Sequence, residues 1–525
     1  MIERAIENWL TNTNERNYQV AFCQVLMLKG HRVIYNSSHQ QMEQGKDIIT
    51  IGPDGDYYAY QLKTGDINLV EWRKIREEVM ELVELPIVHP SVDKTKGHKS
   101  FLVTNGDVTD SVRIQIDQRN EDNLRQKRNY SYLDIINRQS LLKDFNEAQG
   151  RFVPKELEDI QSLLKLFLAD GTDLLDKEQL FNFLNITIFE DIPRQKSDAK
   201  NAISSSVIIT AFLLHPYQLK ENHFAIFEAW TCLAGCIVRY AHKASLEKAG
   251  WVESFKLVMS EMERNLLLLK QETLKRKNLL EGDGLGDGGL MYRARVTIVL
   301  GTLSALEIHL QKIKDKYIKD DRIMKLIKEN EKFLWFWGES AFPYFFSITK
   351  YLELNDEEQE AQSLLDNIFL TIINSNSPYN EEGLASPYYS IHDILEVLYK
   401  FNVRKIDFKN FAGNSYTLET MLLMLARRNR REILEQNWRK LSHIHINEFK
   451  FDNIEDTFCW YAEEGENSAD FPTQTQSWTE LVSKANDISE VPELLLKNAD
   501  LLRFFILVCP HRINKQIIGI LDQGR

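Results

Sequence analysis

The strongest constraint on the fold is a change of pattern near residue 150. Before Pro154 short β-rich runs alternate with helical ones, and after it strand signals nearly disappear. The chain has 525 residues, roughly two to four times the size of a typical domain, so at least two cores are expected. The change of period places an α+β domain with a small mixed sheet flanked by helices in residues 1–150 and a large all-α region in 151–525. With 43% hydrophobic and 27% charged residues, 23 Gly and 12 Pro, the chain has the composition of a well-packed, helix-rich protein.

Within the first part, Asn17–Gly30 has helical spacing, with Gly30 as its C-cap, and His31–Tyr35 follows as a short strand. Asp47–Ile51 and Tyr57–Lys63 are β-rich runs separated by Gly52-Pro53-Asp54-Gly55-Asp56, which is turn chemistry for a hairpin. The pattern then predicts a helix over Leu69–Leu85, a buried strand over Ser100–Thr104, a helix over Asp110–Arg119 and a last strand over Tyr130–Ile136. Beyond Pro154, Glu156–Leu168, Phe224–Lys248, Ser254–Lys277, Tyr292–Lys316 and Thr417–Leu434 read as helices, without a fixed repeat. The glycine-rich stretch Glu281–Gly289 reads as a loop, and a division of the helical part into two lobes is expected near 281–290.

The formal net charge of −13 argues against a chain that coats nucleic acid non-specifically. Residues 1–150 hold 19 Lys and Arg against 22 Asp and Glu, a balance of −3, so −10 falls on the helical remainder. The five cysteines, Cys23, Cys232, Cys236, Cys459 and Cys509, are odd in number and set mostly in apolar segments, which fits a reducing compartment. Uninterrupted apolar runs stop short of the roughly 18–20 residues of a membrane span, and the first residues do not read as a signal peptide. The expectation is a cytoplasmic protein with no membrane association.

The chemistry-bearing segment is Gly45-Lys46-Asp47, then the hairpin, then Gln61-Leu62-Lys63. If the two runs pair, Gln61 and Lys63 share one face of their strand and Asp47 converges on them. Hydrolysis of a phosphodiester by a divalent ion needs hard oxygen ligands, a positioned water, and positive charge near the phosphorus. Asp47 would be the anionic ligand of Mg²⁺ or Mn²⁺, and the Gln61 amide oxygen and Leu62 carbonyl the neutral ones. Lys63 would orient the water or stabilise the transition state.

These residues resemble the PD-(D/E)XK nucleases, in particular their Mrr-like restriction-endonuclease branch, whose second motif often reads Q-x-K, as Gln61-Leu62-Lys63 does here. The resemblance covers about a quarter of the chain. It implies a restriction-endonuclease-like fold, catalytic roles for Asp47, Gln61 and Lys63, and an acidic residue on the helix before Gly30. Gln19 stands at that position, which removes a carboxylate, and Glu15 one turn earlier is the residue able to compensate. Mrr-like domains joined to helical modules look like restriction or anti-phage effectors, and that role is extended to this chain as an expectation.

The basic groups Lys46 and Lys96, with the run Arg125-Gln-Lys127-Arg128, are candidate phosphate contacts; Lys96 lies in the run Lys94–Lys99. His443-Ile-His445 lacks a third ligand, the aromatic segment Trp335–Tyr344 reads as core, and Gly282–Gly289 with Tyr292-Arg-Ala-Arg295 lacks the ending of a P-loop. The reading is a metal-dependent endonuclease, DNA favoured as substrate, controlled by a helical region that senses a trigger, binds a protein partner or forms a homo-oligomer. Two rivals stand beside it: a catalytically inactive nuclease-fold module that binds nucleic acid, and a helical scaffold within a multi-protein complex.

Overall fold

Local chemistry sets the first elements. After helix α1 (Ile2–Asn12), the Asn14 side chain accepts from the Asn17 N–H at 3.0 Å and starts α2 (Glu15–Leu28). Gly30, at φ 88°, ends α2 by returning its N–H to Met27 O (3.1 Å) while His31 N–H reaches Leu26 O (3.0 Å). Strand β1 (Arg32–Asn36) pairs antiparallel with β2 (Ile48–Ile51), and β2 with β3 (Tyr57–Lys63), with Ile51 opposite Tyr57 across the predicted turn. Gly52 N–H donates to Asp56 O (2.9 Å) and Gly55 takes φ 79°, as the turn requires.

Asn68 then caps α3 (Leu69–Glu84), accepting from Val70 N–H at 2.8 Å and Glu71 N–H at 3.1 Å. Strand β4 (His98–Thr104) lies parallel to β3, α4 (Asp110–Arg125) follows, and β5 (Leu133–Ile136) lies parallel to β4 before α5 (Arg138–Ala148). The five strands stand in the order β1-β2-β3-β4-β5, antiparallel at one side and parallel at the other. On one face Ile49, Tyr57, Ala59, Leu102 and Leu133 pack with Trp72, Val79, Leu82 and Val83 of α3 and with Val112 and Ile116 of α4. On the other, Phe22 of α2 meets the Tyr60 ring at 5.5 Å. The α+β architecture with a small mixed sheet is present as expected from the sequence.

Loops at the C-terminal ends of β3 and β4 touch closely. A Cβ on Gly106 would stand 2.2 Å from the Gly65 carbonyl carbon, and Thr104 Oγ1 donates to Gly65 O at 2.6 Å. Gly106→Ala is therefore expected to lower stability by about 1–3 kcal/mol through backbone displacement, read as a fall in urea midpoint. An unchanged midpoint would mean that the two loops part freely.

The computed structural model describes the chain except residues 1, 37–44, 94, 129, 149–156, 190–195, 276–288, 314–319, 378–382, 400–406, 450–452, 461–466, 471, 473–475, 488, 490 and 525. Two compact units are present, Met1–Asn265 and Leu266–Arg525. In the first, the α/β part is joined by α6 (Leu157–Phe167), α7 (Lys177–Asn182) with a π-helical turn Phe183–Ile188, α8 (Lys196–Leu213), α9 (His215–Leu219), α10 (His223–Lys243) and the start of α11 (Val252–Lys275). Helix α8 packs behind α2, where the buried Gln24 Nε2 donates to Ser204 Oγ at 2.8 Å.

The second unit holds the remainder of α11, then α12 (Gly289–Ile313), α13 (Asp321–Asn330), α14 (Phe342–Glu353), α15 (Glu358–Ser375) and α16 (Ile391–Leu398). After these come β6 (Asn414–Ser415), α17 (Leu418–Arg427), α18 (Arg431–Leu441), β7 (His445–Phe449), β8 (Asn467–Asp470), α19 (Trp478–Asn486), α20 (Glu493–Lys497), α21 (Ala499–Val508) and α22 (Lys515–Asp522). A buried ion cluster ties three of these helices together: Asp522 takes Arg427 at 2.8 Å and Arg428 at 2.6 Å, and Arg428 also pairs with Glu353.

Four sequence expectations need correction or restriction. The all-α region contains a three-stranded sheet, β6-β7-β8, whose short strands pair mainly over long range. The single helix expected over Thr417–Leu434 is two helices, α17 and α18, broken where Asn429 adopts φ 55°. Helices α10 and α12, of 21 and 25 residues, are long and apolar enough to cross a membrane although their uninterrupted apolar runs are shorter; 89% and 78% of their apolar windows are buried within the protein, as in core helices. The glycine-rich stretch Glu281–Gly289 lies outside the described residues except Gly289, where α12 begins.

Candidate active site

The hairpin brings its polar residues to the end of β3 that lies beside the start of β2. Asp47 directly precedes β2: its N–H donates to Tyr60 O at 2.8 Å, and its Oδ2 accepts from Leu62 N–H at 2.6 Å. The carboxylate is thus fixed beside the stretch of β3 between Gln61 and Lys63. Because N–H and C=O of a strand residue lie on the same edge, the Leu62 carbonyl is turned to the edge that Asp47 occupies.

Gln61 and Lys63 share the α3 face of the sheet, as period-two alternation requires. Both meet Glu78 of α3: Gln61 Nε2 donates to Glu78 Oε2 at 3.0 Å, and Lys63 Nζ reaches the same oxygen at 2.5 Å. Gln61 is 3% exposed, and its Oε1 has no hydrogen-bond partner. A buried acceptor left without a donor costs about 1–3 kcal/mol, so this oxygen is a place where a cation or a substrate donor would be stabilising.

Glu78 was not among the residues singled out from the sequence. Its signal lies in the topology: a helix following a strand of a partly parallel sheet runs back over the sheet and returns one of its residues to that strand. Periodicity alone puts the Glu77-Glu78 pair on the solvent side of α3, and Glu78 does keep about half of its side chain exposed. Tyr18 was missed as well. It is fully buried, donates its hydroxyl to Lys63 O at 2.9 Å, and has its phenol pKa pushed up by burial and by the charges of Glu15 and Asp47. Both carboxylates therefore act on one buried hydroxyl behind the backbone of Lys63.

Gln19, where the resemblance leads one to expect a carboxylate, donates its Nε2 to Asn36 Oδ1 (2.5 Å) and, at 3.5 Å, to Asp47 O. It braces the backbone of Asp47. Glu15 is half-buried at the start of α2, where its N–H donates to Thr64 Oγ1 at 2.8 Å. Among the described residues no group of three or more His, Cys, Asp and Glu is gathered to hold a metal ion. The oxygen set here is a carboxylate, an amide and a strand carbonyl.

The proposed phosphate contacts fall differently. Lys46 is 2% exposed and donates to Glu81 O at 3.2 Å, so it anchors α3 to the Asp47 loop and is not placed on the surface. Burial pushes its ammonium pKa down to about 8, with the Glu81 charge opposing. The folded state thus binds this proton less tightly than the unfolded chain. The resulting penalty is full below pH 8 and fades as pH rises through 8. Urea titrations of wild type and Lys46→Met are expected to show the stability difference shifting in favour of wild type as pH rises through 8, because the wild-type penalty fades there; a difference that does not change with pH would contradict this account.

Lys96 and Arg125, Lys127 and Arg128 are exposed but lie at the other end of the sheet. Lys96 precedes β4, whose His98 pairs with Tyr57, and Arg125–Arg128 lead toward β5, whose Leu133 pairs with Ser100. The seven-residue length of β3 puts about 20 Å between its ends. Arg125 also pairs with Glu121 at 2.9 Å, and Arg128 lies over the Tyr130 ring at 5.9 Å. Lys94 lies outside the described residues. All five cysteines are buried and stand outside any disulfide. No protein-family model, curated protein or solved structure matches this chain.

Proposed function

We propose that the α/β part is a metal-dependent endonuclease of restriction-endonuclease-like type, with Asp47, Gln61 and Lys63 at its centre and DNA favoured over RNA as substrate. The observation that carries the reading is the buried Gln61 Oε1 without a hydrogen-bond partner, on the strand whose Leu62 N–H binds the Asp47 carboxylate and whose Lys63 shares the Gln61 face. The residues fit a hard divalent ion such as Mg²⁺ or Mn²⁺: Asp47 supplies charge, and Gln61 Oε1 and the Leu62 carbonyl supply neutral oxygens. Such an ion, when bound, activates water and offsets the charge that grows on the phosphoryl oxygens. Lys63 orients the attacking water or donates to a non-bridging oxygen, Asp47 holds the end of β3 through Leu62 N–H, and Gln19 and Tyr18 brace the backbone around them. The helical regions are assigned control of cleavage through a protein partner or self-association, in a restriction or anti-phage role.

A second reading is favoured by one observation: Lys63 is engaged by Glu78. A nuclease-fold module of this kind would bind nucleic acid without cutting. Purified full-length protein incubated with plasmid, single-stranded DNA and RNA, with Mg²⁺ or Mn²⁺ and with EDTA, separates the two. Metal-dependent cutting supports the enzyme. Binding that ignores EDTA, with no cutting of any substrate, supports the module.

A further inference from the structure

Glu78 does more at this site than an exposed ion pair on a helix usually does, and the difference is chemical. A carboxylate only accepts hydrogen bonds, so the end of the Gln61 side chain that faces Glu78 has to be the NH₂ group. This leaves Oε1 on the other side of the amide, buried and without a donor. The same Glu78 oxygen holds the Lys63 ammonium. One oxygen atom therefore decides both which way the amide of residue 61 points and where the lysine charge sits.

Glu78 is itself held in register with the Asp47 loop. Gly45, at φ 70°, lies so close to α3 that a Cβ there would stand 2.4 Å from Glu78 O, and Lys46 Nζ bonds Glu81 O one turn on. The backbone just before Asp47 is thereby seated on the turn of α3 that carries Glu78. The loop that carries Asp47 and the helix turn that carries Glu78, the partner of Gln61, are thus held in one register.

We infer that Glu78 is the positioning residue of this centre, a second negative charge that fixes Gln61 with its oxygen available to a divalent ion and holds Lys63 in place. The inference rests on the nuclease reading above. It assigns the acidic role to position 78 and the neutral role to position 61, so the two side chains work as one amide–acid pair. Gln61→Glu alone would set two carboxylates about 3 Å apart, where one charge strongly disfavours the other. Glu78→Gln alone would leave two amides, nothing to choose the orientation of Gln61, and a released Lys63. Exchanging both residues keeps one amide, one acid and the net charge.

The test is calorimetric titration of Mn²⁺ into full-length protein, beside plasmid cleavage and thermal melts, for wild type, Asp47→Asn, Glu78→Gln, Gln61→Glu and the Gln61→Glu/Glu78→Gln exchange. Glu78→Gln is expected to weaken Mn²⁺ binding about 10- to 100-fold, the size of effect that partners of metal ligands have, with the melting temperature unchanged. The exchange variant should bind Mn²⁺ more tightly than Glu78→Gln. Wild-type protein that binds Mn²⁺ through Asp47 and cuts, beside a Glu78→Gln variant that binds equally well, would overturn this inference and leave the nuclease standing. Wild-type protein that neither binds Mn²⁺ nor cuts would overturn both.

Discussion

Lys63→Ala should reduce metal-dependent cleavage by about 10²- to 10³-fold, the scale on which removal of one transition-state donor acts. Little stability should go with it. The Lys63–Glu78 pair is partly exposed, with about half of the Glu78 side chain in solvent, and such pairs are worth about 0–1 kcal/mol. The backbone of Lys63 stays anchored because its carbonyl, and not its side chain, accepts from Tyr18. Lys63→Arg is not expected to restore activity, since a planar, strongly delocalised cation does not reproduce a compact ammonium in a site shaped by one glutamate oxygen. The measurement is plasmid nicking under single-turnover conditions alongside a thermal melt. Cleavage that persists in Lys63→Ala at the wild-type rate would remove the lysine from the centre.

Asn105→Ala should be among the most destabilising single changes in the α/β part, by about 3–5 kcal/mol. Asn105 is 2% exposed and uses its whole amide: Nδ2 donates to Leu10 O at 2.6 Å and Thr13 O at 2.8 Å, and Oδ1 accepts from Gly65 N–H at 2.7 Å. Truncation leaves two buried backbone carbonyls and one half-buried N–H without this partner, each costing about 1–3 kcal/mol where water does not replace it. The residue joins the α1–α2 connection to the loop after β3, so its loss also loosens the strand end that carries Lys63. Urea denaturation of the variant reads the effect directly. A change below about 1 kcal/mol would show that water enters and serves these groups.

Much of the α/β part was legible because its signals are local. The Gly52–Asp56 turn forces the hairpin, Gly30 ends α2 through its own φ, and the alternation over Tyr57–Lys63 puts Gln61 and Lys63 on one face. What was not legible depends on contacts distant in sequence. Lys46 reads as a surface cation beside a catalytic motif, yet α3 packs against the Gly45–Asp47 loop and buries it. Arg125–Arg128 read as neighbours of the centre until the parallel β3-β4-β5 arrangement sends them to the opposite end. Glu78 sits fifteen residues beyond Lys63 and meets it only because α3 doubles back over the sheet. In the helical regions the break at Asn429 depends on a single left-handed residue, which apolar periodicity does not register.

The central claim is that Asp47, Gln61 and Lys63 form a divalent-ion hydrolytic centre, and Asp47→Asn tests it most directly. The amide keeps an oxygen to accept from Leu62 N–H, so the end of β3 should hold its place while the ligand charge is lost. The measurement is plasmid cleavage by full-length wild type and Asp47→Asn across a Mn²⁺ titration, with EDTA as control. The account predicts cutting by wild type that saturates with Mn²⁺ and stops in EDTA, and no cutting by a folded Asp47→Asn. Cutting by Asp47→Asn with the same Mn²⁺ dependence as wild type, or wild-type protein that cuts no substrate at any Mn²⁺ concentration, would contradict it.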